Sequence, residues 1–477
     1  MIGQADLKAV VDDVARRLHL PSACVGVSLA GEDRFYATGH RAFLIKRANT
    51  HTVYRLASCS KAFIATAVML LQEEHLLDID EPVVRSLPNF ALYCEELTAQ
   101  VTPRDMLSHR TGLPRHDISS FANQQRTLAQ MAEKVRYLEP AYGLRERFHY
   151  QNHMYGVLSL LVERVQDRPW GQFVQERILE PLGMSRTYTS CAAPRAADDN
   201  YARPLVRVGR INLPYLTSND DSTGGAGSLS ASVRDLLCWA KANLGRGNFE
   251  GREVFPPQIF TQLHAPQTPL HEGEFSPVSL PFVSHTAYAL GWFTEHYHGE
   301  LLVYHGGTIF GFKSMVGFLP EHDFAFAILI NQDATVACDA LARTLCDKVL
   351  GVAPYDWVSQ CEQAKAAVSA QKRQEIERLT AAPETTPSRE GLAGRYGHPA
   401  YGTVEVTQRG NRLALRTAGL SLALKPSRVA EFAVYSKLAA MAFPCYFERR
   451  DGTATALLIK LDEDLESYIR FERLAPT

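Results

Sequence analysis

The sequence predicts an α+β protein: an antiparallel sheet flanked by helices, followed by a small antiparallel β-barrel. Three observations carry this. Up to about Leu350 the order is helix, strands, many helices, strands, helix, without the regular strand–helix alternation of a parallel sheet. After Leu350 the character changes to a charged helix and a linker. From Leu392 on, short strands alternate with turns, six or more in under a hundred residues. At 477 residues the chain exceeds one ordinary domain. The expected divisions are 1–354, a helix and linker over 355–388, and a barrel over 389–477.

Each element has a local reason. Met1 to Leu18 reads as an amphipathic helix. Cys24 to Leu29 and Arg34 to Thr38, parted by Gly31-Glu32-Asp33, read as a hairpin. A central helix is expected from Ser58 to Glu74, because Ala62 to Leu71 is apolar on every side and so belongs in a core. A helical, loop-rich stretch follows to about Pro204, with helix starts at Arg104 after Thr102-Pro103 and an apolar helix from Tyr155 to Val165. Flexible Thr223 to Ser228 precedes a helix from Ser232 to Leu244. Leu301 to Tyr304, Phe312 to Phe318 and Phe324 to Ile330 are strand-like, the last two joined by a turn at Leu319 to Asp323. Thr335 to Leu350 closes this part as a helix. Asp356 to Leu379 is a charged amphipathic helix, and Ala381 to Ser388 a linker by composition. Barrel strands are expected at Gly402–Val406, Arg412–Arg416, Ser421–Leu424, Cys445–Glu448, Leu457–Lys460 and Tyr468–Glu472.

Composition narrows the function. Apolar content of 46% and charged content of 21% are those of a globular protein. Fifty basic against 52 acidic residues leave −2, so neither a nucleic-acid footprint nor an acidic tail is present. No uncharged apolar run is long enough to span a bilayer. The N-terminus lacks the basic-then-apolar order of a signal peptide, so a cytoplasmic location is expected. Nine scattered cysteines without a Cys-x-x-Cys argue against a disulfide framework and a zinc ribbon.

Three short segments carry chemistry. In Arg55-Leu56-Ala57-Ser58-Cys59-Ser60-Lys61, Ser58 and Lys61 are three residues apart, one helical turn, so a hydroxyl sits beside an amine. That is a nucleophile beside a candidate base, at a helix N-terminus that favours developing negative charge. Cys59 is either a second nucleophile or a small buried side chain. In Tyr150-Gln151-Asn152, the phenol can relay a proton and the amide can bond Lys61 or a substrate carbonyl. The alternative is a packed loop Tyr and an Asn helix cap. In His305-Gly306-Gly307-Thr308, two glycines at a strand permit a close backbone approach, suited to an oxyanion hole or to a tight turn.

In this order the segments resemble those of the penicillin-binding protein and β-lactamase superfamily of serine hydrolases. Tyr150-Gln151-Asn152 is similar to the Tyr-x-Asn element of class C β-lactamases and D-Ala-D-Ala carboxypeptidases. His305-Gly306-Gly307 stands where most members have Lys-Thr-Gly, and His-x-Gly is known in the esterase, D-aminopeptidase and cyclase branches. Asp105 to Pro114 and Gly225 to Leu236 resemble two longer stretches of the family, so the resemblance covers roughly Leu18 to Leu350. The tail from Leu392 resembles the lipocalin-like domain appended to some peptidases and macrocyclising thioesterases of the group.

The resemblance implies a β-lactamase/transpeptidase-like fold and a role for each matched residue. Ser58 forms an acyl-enzyme. Lys61 and Tyr150 share the proton transfers, with the base between them left open. Asn152 positions Lys61 and the substrate amide, and His305, Gly306 and Gly307 line the substrate site. The backbone N–H groups of Ser58 and Thr308 form the oxyanion hole. No cofactor or metal is implied, and the partner is a small-molecule or peptide acyl substrate, with a homo-oligomer compatible.

An unperturbed His305 would be about a quarter protonated at pH 7, so carboxylate recognition and β-lactam hydrolysis should be weak. Amide or peptide hydrolysis, with D-residues included, is the first reading. An esterase, transacylase or peptide cyclase is the second, and a catalytically idle binding protein the third. His109, His116 and His149 are too irregularly spaced for a metal site and are read as structural. Arg115-His116-Asp117 is read as a solvated loop in preference to a pocket lining, and Trp292 as core in preference to a substrate platform.

Overall fold

The computed structural model describes residues 2–42, 46–121, 127–209, 211–215, 221–271, 280–333, 335–417, 420–437 and 440–475. Its centre is an eight-stranded antiparallel sheet. Across the sheet lie Thr268–Pro269, Val283–Tyr288, Phe293–Tyr297, Glu300–Ile309, Phe312–Leu319, Phe324–Ile330, Ser22–Leu29 and Glu32–Gly39. The N-terminal hairpin thus completes a sheet built mostly from the far end of this part of the chain. Ser22–Leu29 pairs with Phe324–Ile330 from Ala23 opposite Ile330 to Leu29 opposite Phe324.

Alternation along Phe324–Ile330 explains why all seven residues are buried. Phe324, Phe326, Ile328 and Ile330 face the helices Gln4–Leu18 and Ala337–Leu350. Ala325, Ala327 and Leu329 face a larger core with Ser60–Glu73, Asn152–Gln166 and Val233–Leu244. A strand covered on both faces needs a continuous apolar run, and this one has it. The first helix begins at Gln4, and Met1 lies outside the described residues.

The helix expected from Ser58 begins with a short 3-10 turn, Ala57–Cys59, and becomes α-helical over Ser60–Glu73. The strand expected to end at Tyr304 runs on through both glycines as Glu300–Ile309.

The helix Trp357–Thr380 leads to a closed eight-stranded barrel from Gly394 to Arg473. Each barrel strand neighbours the next in sequence, and Gly394–His398 closes against Ile469–Arg473. Two of its strands, Gly394–His398 and Phe432–Ser436, are absent from the sequence reading. Its interior holds Tyr396, Leu413, Leu415, Phe432, Phe447 and Phe471, all buried. No helix among the described residues is long and apolar enough to cross a membrane.

Candidate active site

From Thr52 to Leu71 every residue is buried except Ser58, which is half-buried. A lone accessible hydroxyl in a buried run is held by its neighbours. Ala57 has φ of 46°, in the left-handed region that an alanine rarely adopts. Leu56 N–H donates to Leu229 O (2.9 Å), and Leu56 O accepts from the Ser314 hydroxyl (2.6 Å). These bonds fix the turn that presents Ser58.

Lys61 is fully buried on the first turn of the helix that follows. Its Nζ donates to Asn152 Oδ1 (2.7 Å) and Ala226 O (3.0 Å), and lies 3.3 Å from Ser58 Oγ. The Ala226 carbonyl reaches it because Gly225 packs where a Cβ would fall 1.7 Å from Ile64 Cγ1. Burial pushes the Lys61 amine well below its ordinary value, and the Arg115 guanidinium adds to this against a smaller opposing effect of Asp117. Its three neighbours are all oxygens: two carbonyls that only accept, and the Ser58 hydroxyl, which accepts from the amine here and can donate to it once the amine is neutral.

Tyr150 lies beside this amine. Its hydroxyl hydrogen-bonds Ser58, and the Lys61 Nζ is 4.7 Å from its ring centroid. Burial, partly offset by that hydrogen bond, raises the phenol, so it stays protonated at neutral pH. The segment is held from both sides. Gln151 N–H donates to His109 Nδ1 (3.1 Å), and Gln151 Nε2 donates to Pro114 O (2.6 Å). Gln151 also caps the helix Asn152–Gln166 through His153 N–H, so the cap is Gln151 and not Asn152. That leaves the Asn152 amide free for the site, and its Nδ2 donates to Asp117 Oδ1 (2.9 Å).

The His109 loop is anchored by Asp105, which accepts from Arg110 Nε (2.7 Å) and Arg145 Nε (2.9 Å). Its backbone then pairs with the Tyr150 segment through His149 N–H to His109 O (2.7 Å).

His305 departs from the one-quarter protonation expected at pH 7. It is 1% exposed, and burial together with nearby Lys61 lowers it to about 3. Its Nδ1 is 2.7 Å from Gly306 O, a group that only accepts, so Nδ1 carries the proton. Nε2 therefore accepts from the Tyr288 hydroxyl (3.0 Å). The position is uncharged at any working pH.

The two glycines differ. Gly307 packs against the Ser58 turn, where a Cβ would fall 2.1 Å from Leu56 O and 3.1 Å from Ser58 N. At Gly306 the nearest atoms would be 3.7 and 3.8 Å away. The strand Phe293–Tyr297 pairs only as far as Tyr304, so from His305 on the edge facing Ser58 has no strand partner among the described residues. Thr308, on that edge, is exposed.

The structure thus brings Ser58, Lys61, Tyr150, Asn152, His305 and Gly307 together. It removes Cys59, whose thiol is fully buried, donates to His305 O (3.1 Å), and is pushed up to about 12 by burial. It also corrects the reading of Arg115-His116-Asp117 as a solvated loop. Asp117 holds Asn152, the Arg115 guanidinium lies 5.1 Å from the Tyr150 ring centroid, and His116 is buried. Each of the three histidines set aside as structural has a protein partner: His109 the Gln151 N–H, His116 Glu139 O, and His149 Asp464. Trp292 is buried against Trp239.

Residues 7–349 match the family described as Beta-lactamase. An unguisins hydrolase, ungD', of Aspergillus campestris (strain IBT 28561) is 30% identical over 419 residues, covering 83% of this chain and 76% of that protein. Among solved structures, the octameric penicillin-binding protein homologue from Pyrococcus abyssi is similar with a TM-score of 0.63 at 19% identity. It covers 98% of this chain and 99% of its own, barrel included. The D-amino acid amidase from Ochrobactrum anthropi SV3 is similar with a TM-score of 0.59 at 21% identity, covering 72% and 96%. These two likenesses show the fold. The match over most of the chain, with the hydrolase relative, shows that the protein belongs to the β-lactamase family of serine hydrolases.

Proposed function

We propose that this protein cleaves amide or peptide bonds through an acyl-enzyme on Ser58, on substrates without an obligatory carboxylate. Ser58 Oγ attacks the carbonyl carbon and passes its proton to the neutral Lys61 amine. The oxyanion forms against the backbone N–H groups of Ser58 and Thr308. Tyr150, kept protonated by burial, hands a proton to the leaving amine and recovers one from Lys61. Asn152 holds the Lys61 amine in line and offers its amide to the substrate. Water then attacks the acyl-enzyme with the same groups in reverse order. The reading divides the chain into a catalytic part, 1–354, a helix and linker, 355–388, and a barrel, 389–477.

The observation that carries this is the Lys61 amine, fully buried and 3.3 Å from the only accessible side chain of its run. The neutral His305 supports the substrate class, because it offers no cation where the resemblance places a carboxylate-binding Lys. The unguisins hydrolase relative supports hydrolysis, and the D-amino acid amidase neighbour supports an amide substrate with D-residues included.

The test is intact mass after incubation with a fluorophosphonate, for wild type and Ser58→Ala, followed by D- and L-residue amides, peptides and esters with and without an amine acceptor. One adduct on wild type alone, with amide turnover, supports the reading. An adduct that survives Ser58→Ala overturns it. Turnover of esters alone, or product joined to the amine, replaces it with an esterase or a transacylase.

A further inference from the structure

The barrel reaches the loop beside the site chiefly at His116. His116 stands between Arg115 and Asp117, the two residues that face Tyr150 and Asn152. Its ring Nε2 is 2.9 Å from Glu139 O, so Nε2 carries the proton. Nδ1 therefore accepts from the Tyr401 hydroxyl at 2.6 Å. Its backbone N–H donates to Asp462 Oδ2 at 3.1 Å. Tyr401 lies in the turn between barrel strands Gly394–His398 and Gly402–Arg409, and Asp462 between Thr453–Ile459 and Ile469–Arg473. The neighbouring barrel residue Ser467 donates to the Glu139 carboxylate, so the other side of the same clamp is also tied to the barrel.

Barrel closure does not require these contacts. The eight strands pair with one another around an apolar interior of their own. What the contacts fix is a loop of the catalytic part. His116 is 2% exposed, and moving it breaks three hydrogen bonds at once. One residue on, Asp117 holds Asn152 Nδ2 at 2.9 Å, and Asn152 Oδ1 holds Lys61 at 2.7 Å. One residue back, Arg115 is bound to Asp117 by Nε at 2.8 Å and lies over Tyr150.

We infer that the C-terminal barrel is a positioning element of the Ser58 site, whose Tyr401 and Asp462 clamp His116 and so hold Asp117 on Asn152 and Arg115 over Tyr150. The inference rests on the proposed role of Ser58. Tyr401 and Asp462 touch no reacting atom and act only through the loop. A shift of that loop by a fraction of an ångström turns the Asn152 amide and loosens the Lys61 amine. Misplacement on that scale lowers the chemical step with little effect on substrate binding.

The test uses the full chain. Tyr401→Phe, Asp462→Ala and their double variant are compared with Asp117→Ala and with all three changes combined. The readouts are the rate of fluorophosphonate labelling, kcat and KM on a responding amide, and the cooperative thermal transition. The expected result is a labelling rate and kcat lowered about tenfold or more in the double variant, with KM within about twofold and the transition retained. Adding Asp117→Ala to the double variant should cost no more than Asp117→Ala alone, because the clamp acts through Asp117, which holds both Asn152 and Arg115. Tyr401→Phe, which keeps the ring, should show the effect in smaller measure. Wild-type rates in the double variant overturn the inference, as do losses that multiply with Asp117→Ala. In either case labelling of wild type at Ser58 leaves the proposed function standing, whereas an unlabelled wild type overturns both.

Discussion

Substituting Gly307 by Ala should disable the site through geometry alone. The new Cβ would fall 2.1 Å from Leu56 O, 2.4 Å from Ser314 Oγ and 3.1 Å from Ser58 N. Ser314 cannot swing away freely, since its hydroxyl already donates to Leu56 O. The carbonyl of Leu56 is backbone, one residue before the turn that presents Ser58. Relieving the contact therefore requires the strand and the Ser58 turn to part by about 1 Å, the scale of misplacement that costs about a hundredfold in rate. Stability should fall by about 1–3 kcal/mol, the usual cost of overpacking. Gly306→Ala is the control, because its Cβ meets nothing closer than 3.7 Å. The assay is the rate of fluorophosphonate labelling at Ser58 for both variants, with thermal unfolding to show that both fold. Equal labelling rates for the two variants would refute the reasoning.

Four further outcomes are expected. Asp117→Ala frees the Asn152 amide and should lower kcat about tenfold, the loss of roughly one charge-assisted hydrogen bond, read by steady-state kinetics. His305→Lys should raise acylation by a carboxylate-bearing β-lactam about tenfold over wild type, since a cation then faces the carboxylate, and an unchanged rate would contradict this. His305 is held at about 3 against an ordinary 6.5, so the unfolded chain binds the extra proton first. Its stabilising contribution is whole above about 6.5 and is lost as pH falls toward 3, and His305→Gln should flatten the thermal-transition-versus-pH curve over that window. Cys59 should resist alkylation in the native protein while exposed Cys94 reacts, because the Cys59 thiol is buried and raised to about 12; mass mapping distinguishes the two.

The parts of the site legible in the sequence are those whose residues are close together. Ser58 and Lys61 share a helical turn, Tyr150 and Asn152 flank one residue, and the His305-Gly306-Gly307 run stands out by composition. The barrel was legible because its strands alternate, although two were not seen. Gly394–His398 contains two glycines and Phe432–Ser436 is apolar on three successive residues, so neither shows a clean period of two.

For Arg115 and Asp117 the sequence favours the wrong one of two readings, for a different reason. A short polar loop reads as solvated until its contacts are known, and those contacts come from Tyr150, Asn152 and a barrel more than two hundred residues away. The state of His305 was likewise invisible. Its neutrality comes from burial beside Lys61 and from Tyr288, on the strand Val283–Tyr288 that no sequence signal announced. The glycines were read as permitting close approach, which holds for Gly307. The group that approaches is the turn carrying the nucleophile, contributed by a segment far away in the chain.

The proposed proton transfer needs the Lys61 amine held well below the range of an ordinary lysine. The direct measurement is the rate of Ser58 phosphonylation between about pH 5 and pH 10.5, for wild type and Lys61→Met. Burial holds Lys61 well below 10.5, so the wild-type rate should rise with pH, level off well before the range of an ordinary lysine, and vanish in Lys61→Met. A rate that keeps climbing to about pH 10, as an ordinary lysine or phenol would dictate, or a Lys61→Met variant as fast as wild type, would contradict it.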